Sequence, residues 1–481
     1  MTELTNHDLA PTGPEQRNWR WWHFLALWIG MVINIPAWML AAGLIDQGMT
    51  PLQATLTILA GNVIVLAPMV LIGHAGARYG IPYAVLVRSA FGTIGGRLPA
   101  MARAAVACGW YGLQTWVGGN TLLAILVVVT GRRFAGPMLP VIGIDAAHLA
   151  AFLVFWAIQL AFVTKGLTTV RNLETWTAPI KIVICLALLG WAFRHTGGFA
   201  PLFAPAADPH KFAAIFWPSL TAMVGFWGTL ALNIPDFTRF ARSQRDQVLG
   251  QALGLPGPMA LLAAIAVVTT AATRIVYGRA IWDPVELSTN LPGLAALLGL
   301  LVVSIDTVSC NIAANLVGPA FDFAALAPRH ITYRRGAWIT AGIAAAIMPW
   351  KLIESSGGYI FTWLLGYSAL LGPIAGIMVA DYWLIRRTRL DAEALYAPHG
   401  AYRYSGGWNP AALAALALGV APSVPGFLHE AIPGGAFNPP APLLALYPYA
   451  WFVGAAVAAL TYLVLMAGRR GVHQPQAAPA G

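Results

Sequence analysis

Apolar stretches of 18 to 25 residues follow one another from Trp21 to Met466 with only short breaks. In lipid every backbone N–H and C=O must be satisfied internally, so a chain of this kind can span only as helices or as a closed barrel, and about 20 apolar residues match one helical crossing. With 58% hydrophobic residues, 10% charged and a mean hydropathy of +0.68, 481 residues carry too little polar surface to coat a soluble particle. The expectation is an all-α integral membrane protein with twelve transmembrane helices, at about 23–45, 51–73, 99–129, 146–164, 176–193, 214–238, 250–275, 292–320, 336–350, 357–384, 408–428 and 446–467. One transmembrane domain then fills 21–468, between an N-terminal tail (1–20) and a C-terminal tail (469–481). Residues 1–20 are polar and show no cleavable signal peptide.

The first span contains Asn34-Ile35-Pro36 near its middle. Proline removes a backbone donor and clashes with the preceding turn, so this helix is expected to break. The same tripeptide returns as Asn233-Ile234-Pro235 in the sixth span. Interrupted segments in corresponding positions of two halves point to a binding site at mid-membrane, and they divide the domain into repeats of about 21–195 and 212–385, with extra helices at about 408–468.

Alternate connections carry unequal positive charge, sixteen Lys and Arg against seven, and the richer set shares a side with Arg17, Arg20, Arg469 and Arg470. The positive-inside rule then places both termini in the cytoplasm of a cell (inner) membrane. The formal charge of +10 is spread through these connections rather than gathered into a patch, which argues against nucleic acid as a partner. No obligate protein partner is evident. Cys108, Cys185 and Cys310 all lie in apolar segments, without disulfide or metal-ligand spacing.

Polar residues inside these spans are the candidate functional groups, because burying them in lipid is costly without partners or a water-filled cavity. In the third span Gln114 lies one turn after Trp110. Asp306, Ser309 and Cys310 in the eighth span share one helix face, with Asn311 and Asn315 following. Gln114 and Asn315 serve either as interhelical hydrogen bonds or as readers of a ligand edge. Trp110 and Trp227 are either core or the two walls around a flat ring. Amides carry both donor and acceptor and suit a heterocyclic amide. Asp381-Tyr382-Trp383 is expected to be an interface anchor, and Glu354 and Asp283 are expected to be solvated carboxylates in loops. The sequence contains no zinc-protease, P-loop or Rossmann signature, so the chain is not read as an enzyme.

Five ordered stretches carry a resemblance: Gly73-His74-Ala75-Gly76-Ala77-Arg78-Tyr79-Gly80-Ile81-Pro82-Tyr83, Arg88-Ser89-Ala90-Phe91-Gly92, Gly109-Trp110-Tyr111-Gly112-Leu113-Gln114, Asn233-Ile234-Pro235-Asp236-Phe237-Thr238-Arg239 and Asn311-Ile312-Ala313-Ala314-Asn315. From about Asn18 to Gly468 the chain resembles the nucleobase:cation symporter family, permeases for cytosine, purines, uracil, allantoin, thiamine precursors and hydantoins. The resemblance implies a LeuT-like fold: two inverted five-helix repeats with broken first and sixth helices, plus two C-terminal helices. It further implies that substrate stacks between Trp110 and Trp227 and is read by Gln114 and Asn315. For sodium-coupled members it implies an ion held by backbone carbonyls near Met31 and Asn34, the Asp306 carbonyl, and side chains at Ser309 and Cys310. Cys310 departs from that pattern, since a thiol is a poor ligand for a hard cation. Asp306, the only acid in the eighth span, is expected to carry a proton instead. The expected coupling ion is H+, with Na+ as the alternative, and no cofactor is expected.

Two functions follow from this reading. The first is a secondary active transporter importing a planar nucleobase, ureide or hydantoin-type heterocycle by cation symport and alternating access. The alternative is a channel or transporter-derived sensor that binds the ligand without pumping it.

Overall fold

The computed structural model describes residues 3–205, 211–353, 362–432 and 437–467. Glu354 and the C-terminal tail lie outside the described residues. The described residues are mostly helical and include one two-residue antiparallel ladder pairing Met138–Leu139 with Ile144–Asp145. The longer helices are α1 (Trp21–Val32), α2 (Ile35–Asp46), α3 (Pro51–Tyr79), α4 (Arg97–Thr130), α5 (Ala146–Val163), α6 (Leu167–Thr196), α7 (Phe212–Phe226), α8 (Gly228–Thr238), α9 (Gln244–Tyr277), α10 (Gly293–Leu326), α11 (Tyr333–Ala346), α12 (Thr362–Ile385), α13 (Pro410–Ala431) and α14 (Ala441–Met466). Among the described residues, nine are long and apolar enough to cross a bilayer, and the bent pairs α1/α2 and α7/α8 bring the number to eleven. The ninth expected span is shorter than 336–350 predicted. α11 has 14 residues, about 21 Å of helix at 1.5 Å per residue, and gives way to a tight turn at Pro349–Ile353. The protein is a multi-pass membrane protein.

The first break falls where Asn34-Ile35-Pro36 requires it. Asn34 is extended (φ −149°, ψ 160°), its Oδ1 accepts from the Ala37 N–H at 2.9 Å, and its Nδ2 donates to the Met31 carbonyl at 2.5 Å. One side chain thus caps both half-helices. Pro36 sits in the first turn of α2, where a missing N–H costs little. The two halves meet at 56°.

The second break is not at the second Asn-Ile-Pro. α7 and α8 meet at 44° at Trp227, six residues earlier, where Trp227 takes φ −100°, ψ 10° and is followed by glycine. Asn233 is not a cap there. Its amide donates to Asp236 Oδ2 at 3.0 Å, and Asp236 Oδ1 accepts from the Tyr83 N–H at 2.9 Å. The tripeptide therefore joins α8 to the turn after α3, and it interrupts the helix only by a single turn residue at Ile234, without the bend seen at Trp227.

Around these breaks, α1 packs on the first turns of α9 and on α6, while α4 packs on α10 and α5. The last helix, α14, lies against α12 and α13, and its Trp451 packs on Gly228 at the second break. The closeness of α1 to α9 depends on Gly254, where a methyl group would fall 2.6 Å from Trp28 Cβ.

Several charges counted as connecting-loop residues prove to be interior. Arg103 is wholly buried in α4 and pairs with Asp322 of α10 at 2.9 Å. Asp381 is no interface anchor. It is buried, accepts from Ser89 and Tyr462, and pairs with Arg386 at 2.7 Å. Asp283 caps a short helix by accepting from the Val285 N–H. The N-terminal residues are likewise held down, with Leu9 fully buried, Asn6 Nδ2 donating to Ile331 O and Thr12 N–H donating to Gly80 O.

Candidate functional site

Both breaks open on one cleft, lined by Asn34, Trp110, Gln114, Phe226, Trp227, Thr229, Leu230, Cys310, Ala314 and Asn315. The four residues expected to hold a planar ligand, Trp110, Gln114, Trp227 and Asn315, are thereby brought together from α4, the α7/α8 break and α10. Phe226 stands edge-on to both indoles, 5.2 Å from Trp110 and 5.1 Å from Trp227, and Trp28 closes on Trp227 from behind at 5.3 Å. Phe226 and Thr229 were not anticipated, because only the position of the break turns them inward.

The polar atoms of the cleft are partly committed. Gln114 Nε2 lies 3.9 Å from Cys310 Sγ, while its buried Oε1 has no partner among the described residues. Trp227 Nε1 is also buried without a hydrogen-bond partner among the described residues. Asn315 Nδ2 donates to Asn311 Oδ1 at 2.9 Å. Asn315 lies in a π-helical turn, Ile312–Leu316, a local widening of α10 of the kind that recurs at functional sites. Such a cleft can sandwich a flat ring and engage its edges with a few directional polar atoms.

Beside the cleft, on the far side of Asn34, lies a second cavity lined in part by Ile33, Asn34, Trp38, Lys181 and Asp306. Sequence reasoning passed over Lys181. Its ammonium lies 2.7 Å from Asp306 Oδ1 and 2.5 Å from the Gly30 carbonyl, and its side chain is 2% exposed. Asp306 is therefore neither alone in an apolar helix nor paired with an arginine. Its partner comes from α6. Glu174, two turns before Lys181 on α6, is also buried and packs against Gly30. Thr177 reaches Ser309 Oγ at 3.4 Å, and the Ser309 hydroxyl donates to the Asp306 carbonyl at 3.2 Å. The Cys310 thiol donates to the Met31 carbonyl at 3.3 Å, so that carbonyl already receives Asn34 and Cys310. The residues named for a cation, Met31, Asn34, Asp306, Ser309 and Cys310, do cluster, but a lysine ammonium stands among them. The signal for Lys181 lay in the sequence: an ionisable residue in the middle of an apolar span is functional by default.

A half-helix pair at each of two breaks, with polar groups gathered between them, is the arrangement of a secondary transporter. The chain belongs to the family described as permeases for cytosine/purines, uracil, thiamine and allantoin, whose model matches residues 11–454. It is a permease and not an enzyme. It is 44% identical over 432 residues to a purine-uracil permease of Arabidopsis thaliana, covering 89% of this chain and 72% of the relative. It is 37% identical over 478 residues to the allantoin permease of Bacillus subtilis, covering 98% and 94%. Among solved structures, Mhp1, a nucleobase-cation-symport-1 family transporter in a closed conformation with bromovinylhydantoin bound, superposes with a TM-score of 0.78 at 24% identity, over 97% of this chain and 96% of that one. A Na+-coupled sialic acid symporter superposes at 0.60 and 11% identity, over 98% and 93%. These likenesses show the shared fold.

Proposed function

We propose that this permease imports a planar nucleobase or ureide by proton symport, across a cell membrane in which both termini are cytoplasmic. The observation that carries the coupling ion is the Lys181 ammonium seated between the Gly30 carbonyl and the Asp306 carboxylate. Sodium requires several oxygens at fixed distances, and this cluster offers it an ammonium and a thiol in their place. The substrate reading rests on the two indoles and two amides lining one cleft, and on the purine-uracil and allantoin permeases among the relatives.

The pair can couple the two fluxes through Asn34 and Gly30. Protonating Asp306 removes the charge that holds the lysine, which loosens its grip on the Gly30 carbonyl just before the break. The residue at that break, Asn34, lines both cavities, so ligand binding on one side and proton binding on the other act on the same hinge. Substrate and proton thereby bias one bistable element, which is what symport requires.

The test is uptake of labelled uracil and allantoin into proteoliposomes with a pH gradient or a sodium gradient imposed alone. Acid outside should drive accumulation above equilibrium, and an uncoupler should abolish it. Drive by sodium at constant pH would overturn the proton reading, whereas equilibration without accumulation under either gradient would restore the channel alternative.

A further inference from the structure

Behind Asn315 lies a polar chain whose amide orientations can be assigned. The Tyr111 carbonyl can only accept. Asn311 Nδ2 lies 3.0 Å from it, 3.2 Å from Thr115 Oγ1 and 2.7 Å from Gln159 Oε1. The Thr115 hydroxyl donates to the same carbonyl at 2.6 Å, which leaves its oxygen to accept from Gln159 Nε2 at 3.0 Å and so fixes Gln159 Oε1 as the acceptor facing Asn311. Reversing the Asn311 amide would set its oxygen against the Tyr111 carbonyl, two acceptors face to face in a buried site. Asn311 Oδ1 must therefore point toward Asn315, whose Nδ2 it receives at 2.9 Å. That commits one N–H of Asn315 to Asn311 and turns its oxygen to the cleft. Gln114 arrives at the same polarity independently, with its nitrogen toward Cys310 and its buried oxygen without a partner.

We propose that Gln159, Thr115 and Asn311 are positioning residues that hold Asn315 as a hydrogen-bond acceptor. The cleft then selects neutral rings and ureides carrying N–H groups on two edges over amino-substituted rings that put a bare ring nitrogen on one of them. This rests on the reading of the cleft as a planar-heterocycle site. Gln159 and Thr115 come from α5 and α4 and do not line the cleft. They act through Asn311, whose own burial is complete.

Two matched pairs of probes exchange a ring N–H and its adjacent carbonyl for a bare ring nitrogen and an amino group: uracil against cytosine, and hypoxanthine against adenine. Quenching of intrinsic tryptophan fluorescence on the full-length protein in detergent gives a dissociation constant for each. The oxo member of a pair should bind at least about tenfold more tightly, the cost of one buried acceptor left facing another. Asn311→Leu releases Asn315 to rotate, and the near-isosteric Thr115→Val weakens the same restraint should Asn311→Leu fail to fold. Either should compress the ratio to within about threefold, whereas a purely structural network would weaken both members equally and keep the ratio. A wild-type ratio near one, or a ratio unchanged in the folded variants, overturns the relay while leaving the transporter reading intact. Failure of the wild type to bind all four probes and allantoin would instead refute the heterocycle cleft, and the relay with it.

Discussion

Lys181 and Asp306 show how much one pairing decides. Each is costly in an apolar interior, and their proximity answers both penalties at once. Lys181→Met should cost about 3–5 kcal/mol, because it leaves an uncompensated buried carboxylate, whereas Lys181→Met combined with Asp306→Asn should recover most of that loss. Thermal unfolding of the purified single and double variants checks this. The double variant should still bind substrate in the fluorescence assay and fail to accumulate it under a pH gradient. Recovery of gradient-driven accumulation by the double variant would mean that the pair is structural. Trp227 tests the other half of the site. Trp227→Ala should weaken substrate binding at least about fivefold, since stacking contributes on the order of 1 kcal/mol beyond area burial. An unchanged affinity, measured by competition against labelled substrate, would make Trp227 a packing element.

At the scale of elements, the two breaks rest on different chemistry although they carry the same tripeptide. Asn34 caps both halves of its helix, whereas the second kink forms at Trp227-Gly228 and its Asn-Ile-Pro is spent on tethering Asp236. The first break also requires α6 to lie close against it. A methyl group on Gly30 would fall 1.7 Å from Glu174 Oε2, so Gly30→Ala should displace α6 and abolish transport. Adding Glu174→Ala removes the obstructing carboxylate and should restore thermal stability to near that of Glu174→Ala alone. A Gly30→Ala protein as stable as the wild type would show that the carboxylate moves aside freely.

Across the whole molecule, the face carrying the N-terminus is knitted by contacts between distant segments. Asp8 Oδ2 accepts from the Tyr333 N–H at 2.8 Å, Arg239 donates to the Asp8 carbonyl, and Tyr396 donates to the Leu9 carbonyl at 2.8 Å. These bonds join the N-terminal segment to α11, to the residue following α8 and to the connection before α13. Deleting residues 1–12 removes several bonds of roughly 1 kcal/mol each along with the buried Leu9. The truncated protein should insert normally and melt several degrees lower in a detergent-solubilised thermal scan. An unchanged melting temperature would mean that these contacts add nothing to the net stability.

Sequence alone determined what acts over a few residues. Apolar length sets the class of solvent and hence the helices. The break at Asn34 was legible because a cap and an N-terminal proline act within a single turn. Trp110, Gln114, Trp227 and Asn315 were legible as polar and aromatic residues out of place in lipid, and the fold gathers them into one cleft. Tertiary structure alone decided the rest. It gave Asp306 a lysine from α6, moved the second break to Trp227, took Arg103 and Asp381 into the interior, and turned Asn311 against Tyr111, Thr115 and Gln159. The reason is physical: caps and apolar runs are satisfied by neighbours along the chain, whereas a buried charge or amide is satisfied by whichever helix face packs against it, and that choice belongs to the assembled bundle.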